Sequence, residues 1–117
     1  CIRDRYSITL TDVNDGKLSL RRAVELLTET PAAFLGIQDT KGKLAPGFDA
    51  DLVLVDMERE HVLTDDNLQT KVGWTPYVGW TIKGYVELTM LRGQVIAKDR
   101  VVLGQPGFGE YIAGVAQ

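Results

Sequence analysis

Tyr6, Leu10 and Val13 recur at i, i+4 and i+7, which predicts a helix over residues 6–15 with one apolar stripe. Gly16 stands where a left-handed C-terminal cap would close it. A second helix starts after Ser19, a good N-cap, and carries Leu20, Ala23, Val24 and Leu27 on one face. Leu18 and Ala23 hold the staple positions around that cap, with alanine a weak partner. Thr30-Pro31 predicts a short third helix, capped by Thr30 with Pro31 as its first residue, which carries Ala33, Phe34 and Leu35 and stops at Gly36.

Beyond Gly36 the helical period is lost. Gly42, Pro46 and Gly47 punctuate a turn-rich stretch. Leu52-Val53-Leu54-Val55, fenced by Asp51 and Asp56, reads as a strand buried on both faces. His61–Thr64 reads as its partner strand, and Thr64 or Asp65 can cap a helical turn through Leu68. Residues 72–84 form a Gly/Trp/Pro loop with a local echo, Val72-Gly73-Trp74-Thr75 against Val78-Gly79-Trp80-Thr81, too short to mark a repeat protein. From Val86 the pattern alternates, and turns at Arg92-Gly93 and Asp99-Arg100 predict a meander through Gln94–Lys98 and Val101–Leu103. Gln105–Gly109 ends it. Helices first and strands afterwards give an α+β reading, and each half has an apolar face this chain alone does not bury.

Composition narrows the function. The chain has 117 residues, 44% hydrophobic and 25% charged, which is ordinary for one small domain. The formal charge is -3 with dispersed Lys and Arg, so no footprint for nucleic acid is expected. No apolar run approaches the roughly 20 residues that cross a bilayer, and a cytoplasmic protein is expected. Cys1 and His61 are the only cysteine and histidine. A self-contained His/Cys metal site is therefore nearly excluded, and a Ser-His-Asp triad would have to use His61. The start without methionine, together with the incomplete halves, reads as the end of a larger protein.

Three segments in fixed order carry a resemblance: Thr30-Pro31-Ala32-Ala33-Phe34-Leu35-Gly36; Lys41-Gly42-Lys43-Leu44-Ala45-Pro46-Gly47-Phe48-Asp49-Ala50-Asp51-Leu52-Val53-Leu54-Val55-Asp56; and Lys71-Val72-Gly73-Trp74-Thr75-Pro76-Tyr77-Val78-Gly79, followed by Gly84 and Met90-Leu91-Arg92-Gly93-Gln94-Val95. Residues 6–112 resemble the C-terminal end of a metal-dependent amidohydrolase of the cyclic-amide branch (dihydroorotase, hydantoinase, dihydropyrimidinase, allantoinase), most of all dihydroorotase. The middle segment is shared by the superfamily; Trp-Thr-Pro-Tyr-x-Gly and Arg-Gly-Gln-Val narrow it to the branch. Three positions depart from the pattern: Thr30 where asparagine is usual, Val78 where an acidic residue is frequent, and Arg100 where glycine is usual.

The resemblance implies an α+β fragment: the last helices of a (β/α)₈ barrel followed by the C-terminal strands of a small β-sandwich. Its implied organisation is 1–5 a non-native leader (the reading of a translated sequencing adapter), 6–36 the end of the barrel domain, 37–112 the sandwich part with its loop at 72–84, and 113–117 a tail. The parent would hold one or two divalent metals, usually zinc, which activate a water against the ring carbonyl. The family's ligands are an early His-x-His, a later lysine, two more histidines and a late aspartate. None maps onto this chain, so its expected catalytic and metal residues are none, and no substrate contact is assigned. A small cyclic amide, the missing N-terminal part of the same protein, and a homo-oligomer are the implied partners. Alternatives are a non-catalytic dihydroorotase-like scaffold, a hydantoinase, dihydropyrimidinase or allantoinase tail, and a free-standing β module, against which the helices at residues 6–35 argue.

Single residues have plainer readings beside these. His61 is expected on a strand surface, since a histidine needs a constellation to do chemistry. Asp49 and Asp51 are read as turn and strand-fence residues. Gly42 and Gly47 make no phosphate loop, because no helix start follows. Trp74, Pro76, Tyr77 and Trp80 could line a substrate mouth or an oligomer contact, but packing is favoured. Arg100 sits where a tight primed turn needs positive φ, which suggests a longer turn or another type. Cys1 is given no function.

Overall fold

The computed structural model describes residues 4–68 and 71–114. Three helices come first: α1 (Asp4–Asn14), α2 (Leu20–Leu27) and α3 (Glu29–Phe34). Four strands follow: β1 (Leu52–Val62), β2 (Thr81–Leu91), β3 (Gln94–Lys98) and β4 (Val101–Val102), with a short 3₁₀ turn at Asp65–Asn67. The strands form one sheet in the order β1-β2-β3-β4, whose last three strands are the expected meander. By contacts the chain divides into two compact units. One comprises the chain up to Leu20 with Asp56–Tyr85; the other comprises Arg21–Val55 and the chain from Val86 on.

In the first unit α1 ends as its glycine foretold. Gly16 has φ +73. The Gly16 amide donates to Val13 O at 3.0 Å and the Lys17 amide to Asp12 O at 2.9 Å, the paired bonds of a Schellman cap. Asp4 and Arg5, assigned to the leader, open this helix, while Cys1–Arg3 lie outside the described residues. Two polar side chains dock α1 onto strand backbone. Thr11 Oγ1 accepts from Lys83 N at 3.1 Å. Asn14 Nδ2 donates to Met57 O at 3.0 Å and Lys83 O at 3.3 Å. Leu10, Leu63, Ile82 and Tyr85 are the buried apolar residues here. Gly84, at φ +108, has no Cβ because one would lie 2.7 Å from Leu10 Cβ.

In the second unit α3 differs from the expectation. Thr28, not Thr30, takes the N-cap position, and its hydroxyl donates back to Val24 O at 2.7 Å instead of capping. Pro31 is the third helical residue; the first turn has no intrahelical partner for its amides, so proline is tolerated there as well as at the first position. The stop at Gly36 is met by a second Schellman pair, Gly36 N to Ala33 O at 3.1 Å and Ile37 N to Ala32 O at 2.9 Å. Gly42 (φ +95) closes onto α3: a Cβ there would sit 2.9 Å from Ala32 Cβ.

The strands correct four expectations. β1 is one strand of eleven residues, not two, because nothing between Val55 and His61 breaks an extended chain. Asp56 Oδ1 accepts the amides of Glu58 and Arg59 at 2.9 and 3.2 Å without ending it. Val53 and Leu54 are 41% and 55% exposed, so β1 is not covered on both faces; it is the edge strand of the sheet. The loop placed at 72–84 ends at Trp80, since β2 begins at Thr81 and takes Gly84 into its interior. Finally, both turns of the meander are tight. Leu91 pairs with Gln94 across Arg92 (φ +46) and Gly93 (φ +80). Lys98 pairs with Val101 across Asp99 (φ +46) and Arg100 (φ +68). These are the two-residue primed turns that suit strand twist, so the longer turn expected at Arg100 is not formed.

Candidate functional site

Three side-chain groups carry the polar and aromatic chemistry. In the first unit, Arg59 and His61 are two apart on β1 and so share a face. The Arg59 guanidinium lies 3.8 Å from the centroid of the buried Tyr85 ring. The His61 ring meets the same tyrosine edge-on, at 5.7 Å and 88°. His61 is half-buried rather than on an open surface. It belongs to a packed cation–aromatic group in which the ring face takes the positive charge. Tyr85 stands between the expected loop at 72–84 and the strand pattern expected from Val86, so its contact with His61 had no sequence signal.

The aromatic loop lies in the same unit. Thr75 is buried, and its hydroxyl accepts the Tyr77 amide at 3.4 Å. The Leu63 backbone exchanges bonds with Gly79 N (2.9 Å) and Trp80 O (3.0 Å). Tyr77 and Trp80 pack edge to face at 5.1 Å. Yet Trp74 and Trp80 are 61% and 52% exposed, and Val72 and Val78 are exposed beside them. Within this chain, then, Tyr77 is half-buried against Trp80 while both indoles remain largely exposed.

The charged group lies in the second unit. Lys41 Nζ lies 2.6 Å from an Asp49 oxygen and pairs also with Asp51 Oδ2. Burial pulls the Lys41 ammonium down, but hydrogen bonds to Asp49 and Asp51 outweigh it and hold it above the usual lysine value. The other oxygen of Asp51 accepts the Arg92 amide at 2.8 Å, and Ala50 O accepts the Gly93 amide at 3.0 Å. Asp51, read as a strand fence, thus binds the 41–51 segment to the β2–β3 turn, while Asp49 pairs with Lys41 within the segment. Arg92 stacks on Phe108, 4.6 Å from the ring centroid, and donates to Phe108 O. Lys41 stood in the same segment as its partners Asp49 and Asp51, whereas the partners of Arg92, Asp51 and Phe108, lie 41 and 16 residues away and could not be read from the sequence.

None of these groups is a metal centre. Among the described residues no three His, Cys, Asp or Glu come together where they could hold an ion. Asp49 and Asp51 are already engaged with Lys41, and His61 faces Tyr85. The residues present do not fit the divalent metal that the resemblance implies. Cys1 lies outside the described residues.

The comparison with family models decides the affiliation: the amidohydrolase family model matches residues 8–97. The chain belongs to the amidohydrolase family. Among curated relatives, this amidohydrolase chain is 42% identical over 99 residues to a dihydroorotase of Pyrococcus furiosus, covering 85% of the chain and 23% of that protein. It is 38% identical over 100 residues to an L-hydantoinase of Paenarthrobacter aurescens, covering 86% and 22%. Among solved structures, an L-hydantoinase (dihydropyrimidinase) from Arthrobacter aurescens matches with TM-score 0.88 at 37% identity, over 92% of this chain and 24% of that one. A dihydropyrimidinase from Brevibacillus agri matches with TM-score 0.92 at 28% identity, over 99% and 26%. The amidohydrolase chain thus spans about a quarter of the length of these relatives.

Proposed function

We propose that this chain is the C-terminal part of a metal-dependent cyclic amidohydrolase, dihydroorotase-like, that hydrolyses or forms a cyclic amide bond. The observation that carries the reading is the breadth of the match on this side and its narrowness on the other. Relatives named dihydroorotase and hydantoinase align with 85% and 86% of this chain, but with 23% and 22% of themselves. In this reading residues 6–36 are the end of the (β/α)₈ barrel and residues 37–112 belong to the sandwich. The zinc or other divalent metal, with all its ligands, belongs to the remainder of a cytoplasmic parent. The chain contributes scaffold: the Asp51–Arg92 and Ala50–Gly93 bonds hold the motif segment on the β2–β3 turn.

Two assays test this. The full-length parent should open dihydroorotate, hydantoin or allantoin and lose that activity on chelation. The 117-residue chain alone, supplied with zinc, should give no turnover, because a catalytic zinc takes about three protein ligands. Turnover that follows the purified chain, or a parent inert towards all three rings, overturns the reading; an inert parent favours the scaffold alternative.

A further inference from the structure

We propose that residues 105–114 form a releasable strap across the second unit, held shut by the Arg92 guanidinium. After β4 the Leu103 and Gly104 amides both donate to Ile96 O, at 2.8 and 2.9 Å, and fix where the segment starts. Phe108 then turns back, its amide donating to Gln105 O at 3.3 Å, and places its ring and carbonyl on Arg92. Glu110 adds an ion pair to the same guanidinium at 3.4 Å. The far end rests on α3: at Gly114 a Cβ would fall onto Leu35 O, so the backbones touch there. Between the two anchors Tyr111 is 93% exposed. The segment lacks strand or helix of its own, so no strand pairing holds it between the Arg92 contacts and the backbone approach at Leu35. The contacts of Phe108 and Glu110 converge on Arg92, and the strap should open locally while the rest of the unit stays folded.

Arg92→Asn separates the strap from the turn. Asparagine followed by glycine is the favoured pair for a primed two-residue turn, and the backbone amide that Asp51 accepts is kept. Only the guanidinium is removed. Chymotryptic cleavage after Tyr111 in the full chain reports opening when reclosing is fast. R92N should speed that cleavage by about tenfold, the loss of a charge-assisted bond plus a stack. Phe108→Leu, which keeps the arginine, should speed it by about two- to fivefold. Glu110→Gln should change it by less than about twofold, since its carboxylate is mostly in water. Circular dichroism of each variant should match the parent chain. Cleavage in R92N and F108L equal to that of the parent chain, or cleavage that rises only together with loss of helix and strand signal, overturns the proposal.

Discussion

Gly84 is the residue at which the first unit leaves least room. Its φ of +108 is costly for any L side chain, and an added methyl meets Leu10, which is itself buried. Gly84→Ala should lower stability by about 2–4 kcal/mol, from backbone strain plus overpacking. Urea denaturation of the parent protein checks this; a change below about 0.5 kcal/mol means α1 does not press on β2. Lys41 gives a second test. Its folded value is raised above the usual 10.5, so its contribution is complete below 10.5 and is lost as pH rises through the folded value. The stability difference between wild type and Lys41→Met should be flat from neutral pH to about 10 and shrink above that. Denaturation midpoints across the range measure it, and a difference that grows with pH contradicts the assignment. At this scale the sequence marked the residues and missed the pairings. Gly84, Asp51 and Arg92 all stood in recognised segments, but Leu10, Lys41 and Phe108 meet them only once the chain is folded.

At the scale of elements, local chemistry was read well where it is self-contained. Gly16 and Gly36 each close a helix through bonds within a few residues, and Arg92-Gly93 closes a hairpin in the same way. Boundaries set by other elements were read less well. β2 was started five residues late because Gly84 looks like loop chemistry, whereas the glycine admits Leu10 from α1. β1 was split because Asp56 was read as a fence, although an edge strand carries charged residues readily. The Asp99-Arg100 turn was doubted for the correct reason, since a non-glycine residue at φ +68 is strained, and the hairpin forms regardless. Arg100→Gly should therefore stabilise the hairpin by about 1 kcal/mol, the cost of holding an L residue in that region. A thermal melt of the parent protein that fails to rise in this variant means that Arg100 contributes contacts worth as much as its strain.

The molecule as a whole presents more apolar surface than scattered exposure accounts for. Single exposed leucines are normal, but here they come in runs: Phe34-Leu35, Val53-Leu54 and Val101-Val102-Leu103. Two of these runs lie on or beside β1 and β4, the open edges of the sheet, where unpaired backbone groups recruit further strands. The indoles of Trp74 and Trp80 add a separate exposed group on their own loop. Covering surface of this kind is the ordinary work of the remaining chain in a protein about four times longer, which is the parent proposed above. The isolated 117-residue chain should consequently self-associate. Light scattering at micromolar concentration should show species larger than one chain, with a broad, concentration-dependent melt. Co-refolding with the rest of the parent should convert these to one species with a sharp transition, since apolar faces and strand edges then find their intended cover. A monomer with a two-state melt from the chain alone would show that β1 and β4 are tolerated as free edges, and that the exposed runs do not depend on the missing part.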